Sequence, residues 1–193
     1  FDFLTRDTSE IISYKNGKKD GLYQYLAIKD SVLAQGYYKN DQPFSGSFLD
    51  LNQFIFKTFN VYEDGILVGI NTYHFEYSST KTNKITSYKL INTCSFQDNK
   101  AVNGTFYDKK KYMFYTYEDE KLTKIYKLND RNLDTIEIQT FENDKLHGFF
   151  KSKINAYLDE YIVGYYKHGE PFEGYFRDQK NRLIINQYLN GQM

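Results

Sequence analysis

The stretch that most constrains the fold is residues 14–23, which read Tyr-Lys-Asn-Gly-Lys-Lys-Asp-Gly-Leu-Tyr. An aromatic residue leads into Asn16-Gly17, a few polar residues and a second glycine follow, and another aromatic residue comes two places later. Asn-Gly is a strong β-hairpin signal because a type I′ turn requires a positive φ at both of its central residues. The stretch therefore predicts two antiparallel strands joined by a two-residue turn.

The same pattern recurs along the chain and marks about eight units. Successive lead aromatic residues are 21 to 25 residues apart, except across one interval of 34 residues that contains the polar insert 78–83. A glycine follows in six units, and Lys124 takes its place in a seventh. Such a period indicates a repeat array, in which each unit contacts only its neighbours. The lead residues are Tyr14, Tyr38, Tyr62, Phe96, Tyr117, Phe141, Tyr166 and Tyr188.

Units of two lengths are present. The glycine follows the lead aromatic residue by seven positions in the short units and by eight positions in the long ones. Two long units, residues 36–48 and 164–176, are close to duplicates and contain the chain's two prolines, Pro43 and Pro171. This agreement indicates an internal duplication.

Residues 14–23 and 141–150 resemble the MORN repeat, in the bacterial variant found in YwqK-type antitoxin proteins. The long units depart from that pattern by one residue, and Lys124 breaks it. The resemblance covers most of the chain and implies a MORN-like array of β-hairpins in a bacterial protein. Such arrays serve as scaffolds and interaction surfaces in proteins of very different function. The narrower implication is a partner that is a toxin, which this protein would neutralise.

The composition agrees with an all-β fold. Aromatic residues make up 19% of the 193 residues, with 20 Tyr and 16 Phe, and aromatic side chains favour strands. Alternating segments between turn residues predict about fifteen strands, and their short connections favour antiparallel pairing in chain order. We therefore predict a single domain over residues 1–193, an elongated, twisted meander of antiparallel hairpins with little or no helix. The aromatic residues should form ladders, and the glycine of each unit should leave room for a neighbouring ring.

Charge and cysteine content narrow the function classes. The 25 basic and 25 acidic residues balance, so neither the high pI nor the basic patch of a nucleic-acid-binding protein is expected. No apolar stretch is long enough for a transmembrane helix. A single cysteine leaves no intrachain disulfide. The chain begins at Phe1 without a methionine, which favours an exported protein of the periplasm or cell surface, although a cytoplasmic location stays open.

The residues that could carry chemistry form no catalytic or metal-binding motif. Neither another histidine nor a cysteine stands at metal-ligand spacing from His74, His147 or His168, so no metal or other cofactor is predicted. Cys94 lies in a predicted strand without a local base to activate it. The acidic run 118–120 falls at a predicted turn. We therefore expect no enzymatic activity, and the alternative is a hydrolase whose carboxylates come from distant strands.

The aromatic residues of the two duplicated units are the predicted binding site. Both faces of these strands carry rings in places, so one face should be partly exposed and suit a partner protein or a glycan. The sequence thus favours a non-enzymatic interaction or scaffold module that binds another protein, a toxin among the candidates. The second reading is a cell-surface carbohydrate-binding protein. The predicted partner-binding residues are Tyr37, Tyr38, Phe44, Tyr165, Tyr166 and Phe172.

Overall fold

The computed structural model describes residues 9–28, 31–52, 56–78, 85–108, 110–129, 133–154, 160–178, 180–181 and 184–193. These residues contain fifteen strands and no helix. The strands are β1 (Glu10–Lys15), β2 (Lys18–Leu26), β3 (Val32–Lys39), β4 (Gln42–Asn52), β5 (Phe56–Glu63), β6 (Ile66–Tyr77), β7 (Ile85–Gln97), β8 (Lys100–Asp108), β9 (Met113–Glu118), β10 (Lys121–Leu128), β11 (Thr135–Glu142), β12 (Lys145–Lys153), β13 (Tyr161–Lys167), β14 (Glu170–Arg177) and β15 (Ile185–Tyr188).

The strand order in the sheet follows the chain order from β1 to β15, so the predicted antiparallel meander is confirmed, and the sheet is not closed. The alternating segment 32–39 predicts a strand with the bounds that β3 has, whereas β4 runs on to Asn52, into residues 50–53, where the sequence predicts a turn. The pairing of β4 with β5 absorbs the extra length because its register shifts between Leu49 and Leu51. The polar insert 78–83 lies outside the described residues, except for Ser78.

Eight two-residue turns occur in the described part of the chain, and both residues of every turn have a positive φ. The type I′ geometry predicted for the Asn-Gly turns is therefore confirmed. Asn and Asp dominate these positions because their short polar side chains tolerate a left-handed backbone. The turns are Asn16-Gly17, Asn40-Asp41, Asp64-Gly65, Asp98-Asn99, Asp119-Glu120, Asn143-Asp144, His168-Gly169 and Asn190-Gly191.

Neighbouring turns are joined by a recurring backbone hydrogen bond, which we call the turn ladder. The second residue of a turn donates its N–H to a carbonyl just after the preceding turn. Gly65 donates in this way to Phe44 at 2.7 Å, and Gly169 donates to Leu146 at 2.8 Å. The same bond joins Asp41 to Lys19 at 2.9 Å. Where it occurs, the turn ladder fixes the position of a hairpin relative to the one before it.

The long and short units of the sequence correspond to two kinds of hairpin. In the described residues of each long hairpin, backbone pairing ends at a glycine, and the closing pairs include Gly36 with Gly46 and Gly164 with Gly174. In the short hairpins a register shift near the glycine is followed by further pairing, as far as Phe56 with His74 in β5 and β6. The long units, which have one extra residue, therefore form hairpins whose two strands separate after the glycine.

The chain divides into two compact units, Phe1–Phe106 (unit 1) and Tyr107–Met193 (unit 2). The single domain expected from the sequence stays a prediction. In unit 1 the core contains a ring cluster built around Phe48. Its ring stacks on Tyr23 at a centroid distance of 4.9 Å and meets the edges of Tyr38 at 4.8 Å and Tyr62 at 5.9 Å. Tyr23 and Phe48 come from β2 and β4, and their rings meet above Gly36 of the intervening strand.

Unit 2 repeats this cluster with nearly the same geometry. The ring of Phe176 stacks on Phe150 at 5.6 Å and meets Tyr166 at 4.8 Å and Tyr188 at 5.6 Å in edge-on contacts. Gly164 occupies the position of Gly36. We call the side of each unit that carries its ring cluster the inner face. Edge-on and offset ring pairs each add about 0.5–1.5 kcal/mol beyond the burial of their area.

The structure corrects the predicted role of the glycine that follows each lead aromatic residue. A Cβ at Gly46 would lie 2.4 Å from the carbonyl oxygen of Gln35, so this glycine admits a backbone and not a ring. The ring lies instead against the glycine that precedes the lead residue, because a Cβ at Gly36 would be 2.5 Å from Cζ of Phe48. Gly36 and Gly46 are therefore both needed, because one leaves room for the neighbouring strand and the other leaves room for the ring.

Candidate interaction surface

The six predicted partner-binding residues lie in three different environments. Tyr37 and Tyr165 are each 49% exposed on the side opposite the ring clusters, which we call the outer face. Tyr38 and Tyr166 are half-buried in the clusters, and burial raises the pKa of both phenols. Within each unit the structure therefore separates the neighbouring tyrosines rather than joining them in one surface.

The remaining two predicted residues lie beside lysines near the hairpin turns. Nζ of Lys39 is 4.9 Å from the ring centroid of Phe44, and Lys167 stands in the same relation to Phe172 at 4.9 Å. Both rings are half-buried, so each is partly covered by its own hairpin. Cation–π contacts of this kind contribute about 0.5–1 kcal/mol at exposed sites.

The outer face of unit 2 carries an aromatic and aliphatic surface on β12 to β15, which we call the outer patch. It comprises exposed residues from three strands, together with Phe149, whose half-buried ring meets Tyr165 edge-on at 5.7 Å. Tyr165 and Tyr175 are almost equally exposed, at 49% and 48%. No other described layer of unit 2 lies over these side chains. The members of the outer patch are Phe149, Val163, Tyr165, Tyr175 and Ile185.

Charged residues are interspersed with the apolar ones of this surface. Glu173 lies opposite Tyr165, and Lys151 lies opposite Val163. The Lys151 ammonium is held over the Tyr161 ring at 4.1 Å and donates a hydrogen bond to the Thr135 carbonyl at 2.9 Å. The surface therefore combines apolar rings with an exposed carboxylate and an ammonium that is held in place, a composition typical of interface cores and their rims.

The residues of units 1 and 2 that occupy equivalent positions are similar on the inner face and different on the outer face. The inner residues of unit 1 have aromatic or glycine counterparts at every position of the cluster in unit 2. On the outer face both units have a tyrosine, Tyr37 or Tyr165, but five other residues of unit 1 are replaced by aromatic, β-branched or charged ones. The replacements, from unit 1 to unit 2, are Leu22 to Phe149, Gln24 to Lys151, Gln35 to Val163, Ser45 to Glu173 and Ser47 to Tyr175.

The residues considered for chemistry are dispersed. Cys94 is buried, and this burial raises the pKa of its thiol to about 11, so it keeps its proton at neutral pH. The acidic run 118–120 is exposed at the turn between β9 and β10. An open polar cleft of about 340 Å³ lies between two turns of unit 1, and its lining residues are Lys15, Asn16, Lys18, Asp20 and Asn40.

Two buried polar atoms of β6 lack a hydrogen-bond partner among the described residues. They are Oγ1 of Thr72, a residue that is 0% exposed, and Nε2 of His74, which is 7% exposed. Thr72 pairs with Thr58 and His74 with Phe56 across β5. A buried polar group without a partner costs about 1–3 kcal/mol, so these two atoms weaken the core of unit 1.

Replacing Thr72 with valine is therefore expected to raise the free energy of unfolding by about 1 kcal/mol, because the shape is kept and the unpaired hydroxyl is removed. Thr140→Val is the matched comparison. The Thr140 hydroxyl lies within hydrogen-bond distance of the carbonyls of both His147 and Phe149 and can donate its proton to either, so its loss should lower the free energy of unfolding by about 1 kcal/mol. Urea denaturation measures both changes, and a loss of stability in Thr72→Val would contradict this account.

No family model, curated protein or solved structure matches this chain. In the part of the chain that the structure describes, no helix has the length and apolar character to cross a membrane. Four members of the outer patch are not among the residues predicted from the sequence, namely Phe149, Val163, Tyr175 and Ile185. The signal that could have found Phe149, Val163 and Tyr175 is a comparison of the sequences of β2 to β4 with those of β12 to β14, which extends beyond the duplicated residues 36–48 and 164–176.

Proposed function

We propose that this protein is a non-enzymatic interaction module that binds another protein through the outer patch of unit 2. The observation that carries this proposal is the contrast between the inner and outer faces when units 1 and 2 are compared. Their inner faces keep the same rings and glycines, as a shared core requires. Their outer faces diverge, and that of unit 2 gains Phe149, Val163 and Tyr175, which the fold does not need because unit 1 forms the same cluster without them.

The chemistry of the outer patch favours a protein partner. Tyrosine supplies a large contact area with few rotatable bonds, so it loses little conformational entropy on binding and is enriched at interface hot spots. Glu173 and Lys151 provide charges of both signs beside the rings, which favours a partner with complementary charges at the rim. The resemblance to bacterial MORN repeats supports a scaffold role and, more narrowly, a toxin as the bound protein.

The test compares partner capture by the wild-type chain and two variants of exposed tyrosines. We expect the wild-type protein, immobilised and exposed to native lysate and envelope fractions, to retain one protein stoichiometrically. Tyr165→Ala combined with Tyr175→Ala should weaken that complex at least about tenfold, because hot-spot tyrosines contribute about 2 kcal/mol or more. Tyr112→Ala removes a tyrosine that is exposed on a turn away from the outer patch, so it should leave capture unchanged.

Two outcomes would contradict the proposal. Equal capture by the wild-type protein and the double variant would remove the outer patch as the binding surface. Recovery of polysaccharide without a protein would replace the protein partner with a glycan, since exposed tyrosine rings also stack on sugars. Circular dichroism of the double variant should match that of the wild-type protein, because substitutions at exposed positions change stability by less than about 1 kcal/mol.

A further inference from the structure

Two histidines of unit 2 meet although 20 residues separate them in the sequence. His147 is the third residue of β12, and His168 is the first residue of the turn between β13 and β14, with a φ of 54°. The turn ladder bond from Gly169 to Leu146 brings the two hairpins together at this point. The two imidazole rings have a centroid separation of 5.3 Å and an interplanar angle of 60°.

The carboxylate of Glu142 lies beside one ring nitrogen of His147 and leaves the other available to a ligand. Nδ1 of His147 is 3.2 Å from Oε2 of Glu142. A histidine that binds a metal typically donates the proton of its other ring nitrogen to a carboxylate, which fixes the tautomer and raises the basicity of the ligating nitrogen. Glu142 lies where it can accept such a proton, and Nδ1 also lies 3.5 Å from the backbone nitrogen of His168, so Nε2 is the nitrogen of His147 that is left for a metal ion.

We propose that His147 and His168 bind a divalent transition-metal ion such as Zn²⁺ or Ni²⁺. The ring separation fits this assignment. With metal–nitrogen bonds of about 2.0–2.1 Å and a tetrahedral angle, two imidazoles on one ion have their ring centres about 5 Å apart. Imidazole nitrogen suits Zn²⁺, Cu²⁺ and Ni²⁺, whereas Mg²⁺ and Ca²⁺ require oxygen ligands.

The site supplies two protein ligands, and Glu142 acts from the second shell. Among the described residues, no three His, Cys, Asp or Glu side chains converge as a metal-binding group. Water therefore completes the coordination, so the site is open and belongs to the class of moderate affinity. Both ligands come from neighbouring hairpins, so the bound ion would reinforce the turn ladder between them.

Unit 1 has the same framework without the imidazoles. The backbone N–H of Asn40 donates to Oδ2 of Asp20 at 3.4 Å, just as the N–H of His168 approaches Nδ1 of His147 at 3.5 Å. Asp20 and Asn40 thus occupy the positions of the two histidines. The metal site follows from two side chains placed on a backbone arrangement that both units share.

The experiment titrates untagged full-length protein with Zn²⁺, and separately with Ni²⁺, by isothermal calorimetry. We expect one ion per chain and no response to Mg²⁺. His147→Ala and His168→Ala should each weaken binding at least tenfold, and Glu142→Gln should weaken it about tenfold, within the range found for second-shell partners. The absence of saturable binding, or binding that is unchanged in either histidine variant, would overturn the assignment.

A gain-of-function variant tests the same geometry independently. Lys15→Glu, Asp20→His and Asn40→His together place two imidazoles and a neighbouring carboxylate on the framework of unit 1, where Lys15 stands at the position of Glu142. This variant should bind two ions per chain where the wild-type protein binds one. Binding of a single ion by a variant with the wild-type circular dichroism spectrum would show that the framework does not position the ligands.

Discussion

Replacing Gly46 with alanine is expected to lower the free energy of unfolding by about 3 kcal/mol or more, because two separate costs add. The φ of Gly46 is 95°, a value that residues with a side chain adopt only under strain of about 1–3 kcal/mol. The new Cβ would also lie 2.4 Å from the Gln35 carbonyl oxygen and 2.6 Å from Cα of Gly36. Both are backbone atoms of a paired strand, so no change of rotamer relieves the clash.

The matched control is Gly65→Ala, in a hairpin turn of the same unit. Gly65 has a similar φ of 80°, but a Cβ there would have no atom within 4 Å. It should therefore cost only the backbone strain, about 1 kcal/mol. Urea denaturation of the two variants separates the strain from the close approach. Equal losses would show that the contact between β3 and β4 at Gly46 is not as tight as the structure indicates.

Replacing Phe48 with alanine is expected to lower the free energy of unfolding by about 3–5 kcal/mol, the usual cost of removing a buried phenylalanine. The Phe48 ring contacts Tyr23, Tyr38 and Tyr62, which come from three different strands. Its removal leaves a cavity above Gly36, a residue with no side chain to fill the space. Phe176→Ala should have a similar effect in unit 2, where the ring has the same contacts.

Tyr37→Ala is the control for the ring cluster, since Tyr37 is next to Tyr38 in β3 but lies on the outer face. Its loss should change the free energy of unfolding by less than about 1 kcal/mol. Denaturation curves of Phe48→Ala and Tyr37→Ala, recorded under identical conditions, give the comparison. A loss of several kcal/mol in Tyr37→Ala would contradict the assignment of the inner and outer faces.

The hairpins and their order could be predicted because the signals are local. A turn such as Asn16-Gly17 is specified by two adjacent residues, and a short connection leaves only the neighbouring strand as a partner. The bounds of β3 followed from the alternation between two such turns. The extension of β4 to Asn52 did not, because a register shift lets the strand continue through residues that resemble a turn.

The position of each ring could not be read from the sequence. In a doublet such as Tyr37-Tyr38 one ring points to each face, and the sequence does not say which face is covered. The answer depends on Phe48, which reaches across Gly36 to Tyr23 two strands away. The approach of His147 to His168 depends likewise on the turn ladder, which joins residues more than 20 positions apart.

Site-specific photo-crosslinking tests the central claim most directly. A photoreactive phenylalanine analogue at Tyr165, and in a separate variant at Tyr175, would be irradiated in native extract and the products identified by mass spectrometry. We expect both variants to crosslink to the same protein, and the analogue at Tyr112 to give no such product. Crosslinks to that protein from Tyr112 alone, or no discrete protein product from Tyr165 and Tyr175, would contradict binding through the outer patch.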